Sequence, residues 1–229
     1  RYMLHGDLHM GNRARIFSQF KSGLESGRRA GPRPVDRNDL DLHQAFLDYH
    51  WKPGPKTDLM LRVGRQELIF GSRRWVNFRE RPNVRLSFDG AKVVWTNKSW
   101  TVSGFATKPV EVDPGIFDDD FIKGQSLWGL FTTRKRPPWF PGSFDFYYFG
   151  LERDIARFVQ GTDNELRHSV GFHWWALRDQ AYDDPILHYW TPATERHMGL
   201  MYYDGSPKPS LDEYRVVATG DRFGEGRFG

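Results

Sequence analysis

Arginine dominates the chemistry open to this chain. Its 33 basic residues comprise 24 Arg and 9 Lys, set against 29 acids, for a net charge of +4 and a pI near 9.3. A guanidinium presents a planar fork of donors that fits carboxylate or phosphate, so the skew points to recognition of such groups. Arg13, Arg15, Arg62, Arg65, Arg85 and Arg153, with Lys21, lie on or beside runs that alternate polar and apolar residues. Arg73, Arg74, Arg79 and Arg81 crowd one segment, 69–83, which could fold inward as a constriction. Basic groups spaced along a wet passage would attract a polyanion through many weak contacts, which is what conduction requires. Asp41, Asp48, Glu67, Asp89 and Glu152 are available to the same arginines. Charge ladders that only fill and stiffen an interior are therefore the competing reading.

Other chemistries find less support. Asp118-Asp119-Asp120 and Asp183-Asp184 are carboxylate runs that could serve glycoside hydrolysis or bind Ca²⁺. Neither has the spacing of a calcium loop, and acidic runs in loops are commonly just solvated. The eight His include no His-x-x-x-His pair with a third ligand, and Cys is absent, so no metal site is expected. Without Gly-x-Gly-x-x-Gly or a βαβ rhythm a nucleotide fold has no basis. The arginines alternate with apolar residues and form no single exposed patch, which argues against nucleic acid. No cofactor and no enzymatic activity are expected.

The elements that would position these residues are strands. Ile16 and Phe20 fall opposite Arg15 and Lys21; Leu61 and Val63 fall opposite Arg62; Val93 and Trp95 fall opposite Lys92. Val170, Phe172 and Trp174 fall opposite Ser169, Gly171 and His173, whereas Phe105 joins the polar series Thr101, Ser103 and Thr107. Period two predicts strands at Tyr2–Met10, Arg13–Lys21, Leu40–Trp51, Thr57–Leu68, Val84–Thr96, Trp100–Lys108, Gln125–Arg134, Phe144–Arg153 and Leu166–Ala176. Connections alternate short and long, as in an antiparallel meander whose ends face different surroundings. Outer-membrane barrels have such short periplasmic turns and long outer loops. Aromatics gather at strand ends, at Trp51, Trp95, Trp100, Trp139 and Phe140, where an interfacial girdle would sit. No stretch is apolar enough for a transmembrane helix, and 16% aromatic content argues against disorder. The fold class expected is all-β: an antiparallel up-and-down transmembrane β-barrel, incomplete, of about nine to ten strands. Ile16, Leu61, Val63, Val93 and Phe172 should then face lipid, and Arg15, Arg62 and Lys92 the lumen. A soluble β-domain that binds acidic glycans is the alternative.

Several strings carry a resemblance. Leu40-Asp41-Leu42-His43-Gln44-Ala45-Phe46-Leu47-Asp48, the run Leu61 to Arg74, Pro82-Asn83-Val84-Arg85, Phe88-Asp89-Gly90, Gly115-Ile116-Phe117-Asp118-Asp119 and Tyr147-Tyr148-Phe149-Gly150-Leu151 are collinear with one family. Over residues 1–172 the chain resembles the N-terminal half of the alginate-export outer-membrane β-barrels of Gram-negative bacteria. The resemblance implies a monomeric porin of about eighteen strands when complete. Its electropositive pore would pass an anionic polysaccharide such as alginate, or small anions, through outer-membrane lipid. Residues 1–176 are expected to be the N-terminal part of that barrel, and 177–229 a Pro/Gly-rich tail. The first residue, Arg1, and the Gly-rich run at Gly224–Gly229 fit a fragment. Trp174 to Asp179, with His197 to Ser210, faintly resembles the closing segment of a TIM-barrel glycosidase, which keeps a carbohydrate-active enzyme as a further alternative.

Overall fold

The computed structural model describes residues 1–176, apart from 34, 72, 74, 81, 141 and 160, together with Glu195–Arg196. Among them no helix is long and apolar enough to cross a membrane. The strands are β1 (Tyr2–Met10), β2 (Ala14–Gly23), β3 (Asn38–Gly54), β4 (Thr57–Gln66) and β5 (Phe88–Thr96), then β6 (Trp100–Pro109), β7 (Gln125–Arg134), β8 (Gly142–Phe158), β9 (Gly161–Ala176) and the two-residue β10 (Glu195–Arg196). They form one sheet in which spatial order equals chain order, and every neighbour pair is antiparallel. Among the described residues β1 does not pair with β10, so the sheet is open, a stretch of barrel wall rather than a closed ring.

Register turns the period-two sequence pattern into two unlike faces. One row runs Leu8, Ile16, Leu47, Val63, Ala91, Ala106, Trp128 across β1 to β7. The next runs Tyr49, Leu61, Val93, Gly104, Leu130, Tyr148, Val170 from β3 to β9. Ile16, Leu61, Val63, Val93 and Phe172 are all exposed, between 42% and 50%. An apolar belt this continuous on one face suits lipid contact. Trp128 lies over Gly150, where any Cβ would collide with its indole ring. Rings collect at the short-turn end: Trp51 and Trp139 are exposed, Arg134 covers Trp100 at 5.1 Å, and Phe140 and Phe144 pack at 4.6 Å.

The opposite, concave face holds the core: Leu68, Val76, Phe88, Phe105 and Phe149, with Phe70, Phe131 and Tyr147 against it. Each such side chain contributes on the order of 1.5–3 kcal/mol by leaving water. Several strand boundaries differ from the sequence expectation: β3 runs longer at both ends, and β8 reaches Phe158 and β9 starts at Gly161, so 154–165, expected as a long connection, is mostly strand. β4 stops at Gln66 and β5 begins at Phe88, although Leu68 and Val84 continue the alternation. Both are buried, yet they belong to the connecting loop and pack inward without extending the ladder. β3 and β8 each run 17 residues, longer than the ~9–11 a tilted membrane strand needs.

Candidate functional site

The concave face is built around one row of side chains. Arg15, Asp48, Arg62 and Lys92 stand directly opposite one another on β2 to β5, and the same row continues as Phe105, Gly129 and Phe149 on β6 to β8. Asp48 is buried and receives Nε and Nη2 of Arg62 at 2.6 and 2.7 Å. Its Oδ2 also lies 3.5 Å from Nη1 of Arg15, whose Nε and Nη2 go to Asp7 at 2.8 and 2.9 Å. Both guanidiniums rest on Phe46, at 3.7 Å for Arg62 and 5.5 Å for Arg15. Lys92, beside Arg62, forms no ion pair among the described residues. It is the base this row leaves in excess.

The loop 67–87 folds onto the aromatic half. Phe70 stacks on Phe105 at 4.8 Å and meets Phe131 and Phe149 at 5.5 and 6.0 Å. Trp75 Nε1 donates to the Tyr147 hydroxyl at 3.1 Å. Gly129 makes this wall possible, since a Cβ there would meet the rings of Phe105 and Phe149. The loop's base is tied by Glu67, which accepts from buried His43 at 2.8 Å and from Arg85 at 3.2 Å. Arg85 also pairs with Glu80, which Arg1 reaches at 2.6 Å.

A second long loop, 110–124, passes over the loop-side ends of β5 and β4. β3–β4 pairing begins only at Ala45 opposite Arg65, so the edge of β3 beyond that point is free, and Leu40 bridges to Ile116 there. The acidic run is not merely solvated. Asp41 Oδ2 accepts the amides of Asp118 and Asp119 at 3.0 and 2.9 Å, and Lys21 Nζ lies 2.6 Å from the buried Asp119 Oδ2. Burial pushes the Asp119 carboxyl upward while Lys21 pulls it down. These three acids lie close enough to hold a cation. Backbone donors and an ammonium already satisfy them, so the cluster works as a loop anchor. In the 24–37 loop, Asp36 takes Nε of Arg33 at 2.7 Å and lies 3.3 Å from Arg28.

The nine arginines singled out from sequence divide by environment. Arg15 and Arg62 share the charged row. Arg153 follows Tyr147 and Phe149 in the alternation of β8 and donates to Glu165 at 2.6 Å. Arg85 braces the 67–87 loop. Arg65 follows Leu61 and Val63 in the alternation of β4, opposite to Arg62; it grips Asp89 twice at 2.8 Å and donates to the Leu42 and Asp119 carbonyls. Arg13 is exposed in the β1–β2 turn, its carbonyl accepting the His50 amide at 2.7 Å. Arg73 is half-buried and Arg79 exposed, both at positive φ in the 67–87 loop. Arg74, Arg81, Asp183, Asp184 and all of the tail except Glu195–Arg196 lie outside the described residues. The aromatic wall was not singled out from sequence. Its signal was Phe105 sitting in a polar alternating series.

No curated protein and no solved structure matches the chain. A family model described as alginate export matches residues 1–196. That family is one of outer-membrane exporters, a transporter rather than an enzyme family, and its role is polysaccharide export. With an open all-β meander, an apolar belt outside and an ionic row inside, this chain belongs to the alginate-export family.

Proposed function

We propose that this chain forms part of the wall of an outer-membrane passage for an anionic polysaccharide of the alginate kind, with the belt of Ile16, Leu61, Val63 and Val93 in lipid. The short turns face the periplasm and the long loops face outward, and the completed protein is a monomeric porin without a cofactor. The observation that carries this reading is the row Arg15, Asp48, Arg62, Lys92, set on the face opposite the belt. In a narrow, partly dehydrated lumen, charges are screened less than on an open surface and act together on a passing polyanion. Most guanidiniums here are neutralised by carboxylates, so they shape the passage and hold its field. Lys92 carries the excess charge, and the loop arginines Arg73 and Arg79 contribute near the 67–87 constriction.

The test is flux. Proteoliposomes containing the intact protein should release oligouronates much faster than neutral oligosaccharides of equal length. Lys92→Glu should narrow that preference. Equal release of both sugars, or none above protein-free vesicles, would remove the reading.

A further inference from the structure

The two ends of the sheet differ in charge. Over 24–37, 67–87 and 110–124, the three long loops hold 9 acids and 10 bases, close to balance. The four short turns hold Arg13, Lys56, Lys98, Lys135 and Arg136, and the strand ends beside them add Lys52 and Arg134 against Asp58. Asp58 is engaged, with His50 Nδ1 at 2.9 Å from its Oδ2. Lys52, Lys56 and Lys98 surround an open depression of about 900 Å³ between the β3–β4 and β5–β6 turns, lined also by Gly54, Pro55, Asp58, Thr96 and Asn97. Lys52 follows Asp48 and His50 in the alternation of β3, and Asp58 follows Arg62 and Met60 in that of β4, so the depression opens toward the concave face. None of the three lysines has an ion-pair partner among the described residues.

We propose that Lys52, Lys56 and Lys98 form a capture site at the turn-side mouth, where carboxylates of a polyuronate first engage before the chain threads past Lys92. The inference rests on the export reading and adds the residues and the side at which the substrate is received. Lysine suits the task. A flexible ammonium attracts as a point charge without the two-point grip of a guanidinium, so a polymer is gathered and then passed on. The open cradle, shared by two turns and largely apolar between its lysines, favours an extended acidic sugar chain over a single phosphate headgroup.

The experiment uses the intact protein in planar bilayers at low salt, with oligouronate of defined length added to one chamber at a time. Current-block events from the turn side should fall about tenfold in Lys52→Gln/Lys56→Gln/Lys98→Gln, because steering of this kind changes association rates by at least that factor. Events from the loop side should change much less. The corresponding triple Arg variant should retain turn-side capture, which separates loss of charge from loss of fold. Raising salt should erase the wild-type advantage of the turn side. Parental turn-side frequency in the Gln variant would overturn the proposal. So would a Gln variant that loses binding to anionic vesicles or to an acidic peptide while keeping its block frequency, since the lysines would then serve lipid or a protein. Wild-type protein with no block from either side and no anion preference would instead defeat the export reading itself.

Discussion

Along the row that begins at Arg15, the side chains on β2 to β5 are Arg15, Asp48, Arg62 and Lys92, and those on β6 to β8 are Phe105, Gly129 and Phe149. Register and strand geometry are the same on both sides of the β5–β6 boundary. What changes is the way each half meets the cost of facing inward. The charged half satisfies itself laterally, each guanidinium bonding a carboxylate on a neighbouring strand, and it can stay wet. The aromatic half needs a cover, which the 67–87 loop supplies through Phe70, Val76 and Trp75. On the proposed reading, a passage along this wall would run beside β2 to β5. The arginine-rich loop would then narrow it from the aromatic side with the rings of Phe70 and Trp75, a different device from a throat made of arginines alone.

Asp48→Ala should have the largest effect. It leaves Arg62 and part of Arg15 without their shared buried acceptor, at a cost of about 3 kcal/mol in urea unfolding of the detergent-solubilised intact protein. Asp48→Leu/Arg62→Leu should recover much of that loss if the ladder is mutual satisfaction rather than net stabilisation. Phe70→Ala follows, at about 2–3 kcal/mol. It should also raise single-channel conductance by loosening the 67–87 loop from Phe105 and Phe149. Unchanged conductance would mean that the loop lies beside the passage and does not narrow it. Gly64→Ala comes next. Gly64 sits at φ 127° between Phe46 and Gly90, where a Cβ would run into the Ala45 carbonyl, so about 1–2 kcal/mol is expected, read as a lower unfolding midpoint. It sharpens the comparison because it deforms the charged half and leaves the aromatic one intact.

The smallest effect is titration of the 24–37 loop. The Arg33 guanidinium, with Arg28 behind it, holds the Asp36 carboxyl down from 3.8 to about 2. A lowered acid contributes fully above its unfolded value and loses that contribution as pH falls toward the folded one. Protection of the Val84 amide, bonded to the Val35 carbonyl at 2.9 Å, should therefore drop between about pH 4 and pH 2. In Asp36→Asn it should be low throughout.

The strands and their two faces were legible because both are local. β1 and β7 end where alternation ends, and the residues expected to face lipid are exposed. Leu68 and Val84 show where locality fails: they keep the period of a strand, but Leu68 is buried in the cluster with Phe105 and Phe149, and Val84 lies against Gly23 and Val35, all far away in the chain. Phe105 gave the complementary hint, a large ring in a polar series, without revealing that the 67–87 loop lands on it. Arg65 shows a different limit. It looks interchangeable with Arg62 in composition, yet a spacing of three sends the two to opposite faces. The partners of Asp119, reached through a loop that crosses two strands, leave no mark in sequence.

The central claim is that one face meets water, with its anion-attracting part on β2 to β5, and the other meets lipid. The chain contains no Cys, so single-Cys variants of the intact protein report without background. Labelling by a negatively and a positively charged thiosulfonate would be timed in membranes for Met60→Cys on the charged wall, Ser103→Cys opposite Phe131, and Val93→Cys on the belt. The prediction is rapid labelling at Met60 with the negative reagent ahead of the positive one, slow labelling at Ser103 beneath the aromatic cover, and none at Val93. Labelling at Val93 as fast as at Met60, or a preference for the positive reagent at Met60, would contradict it.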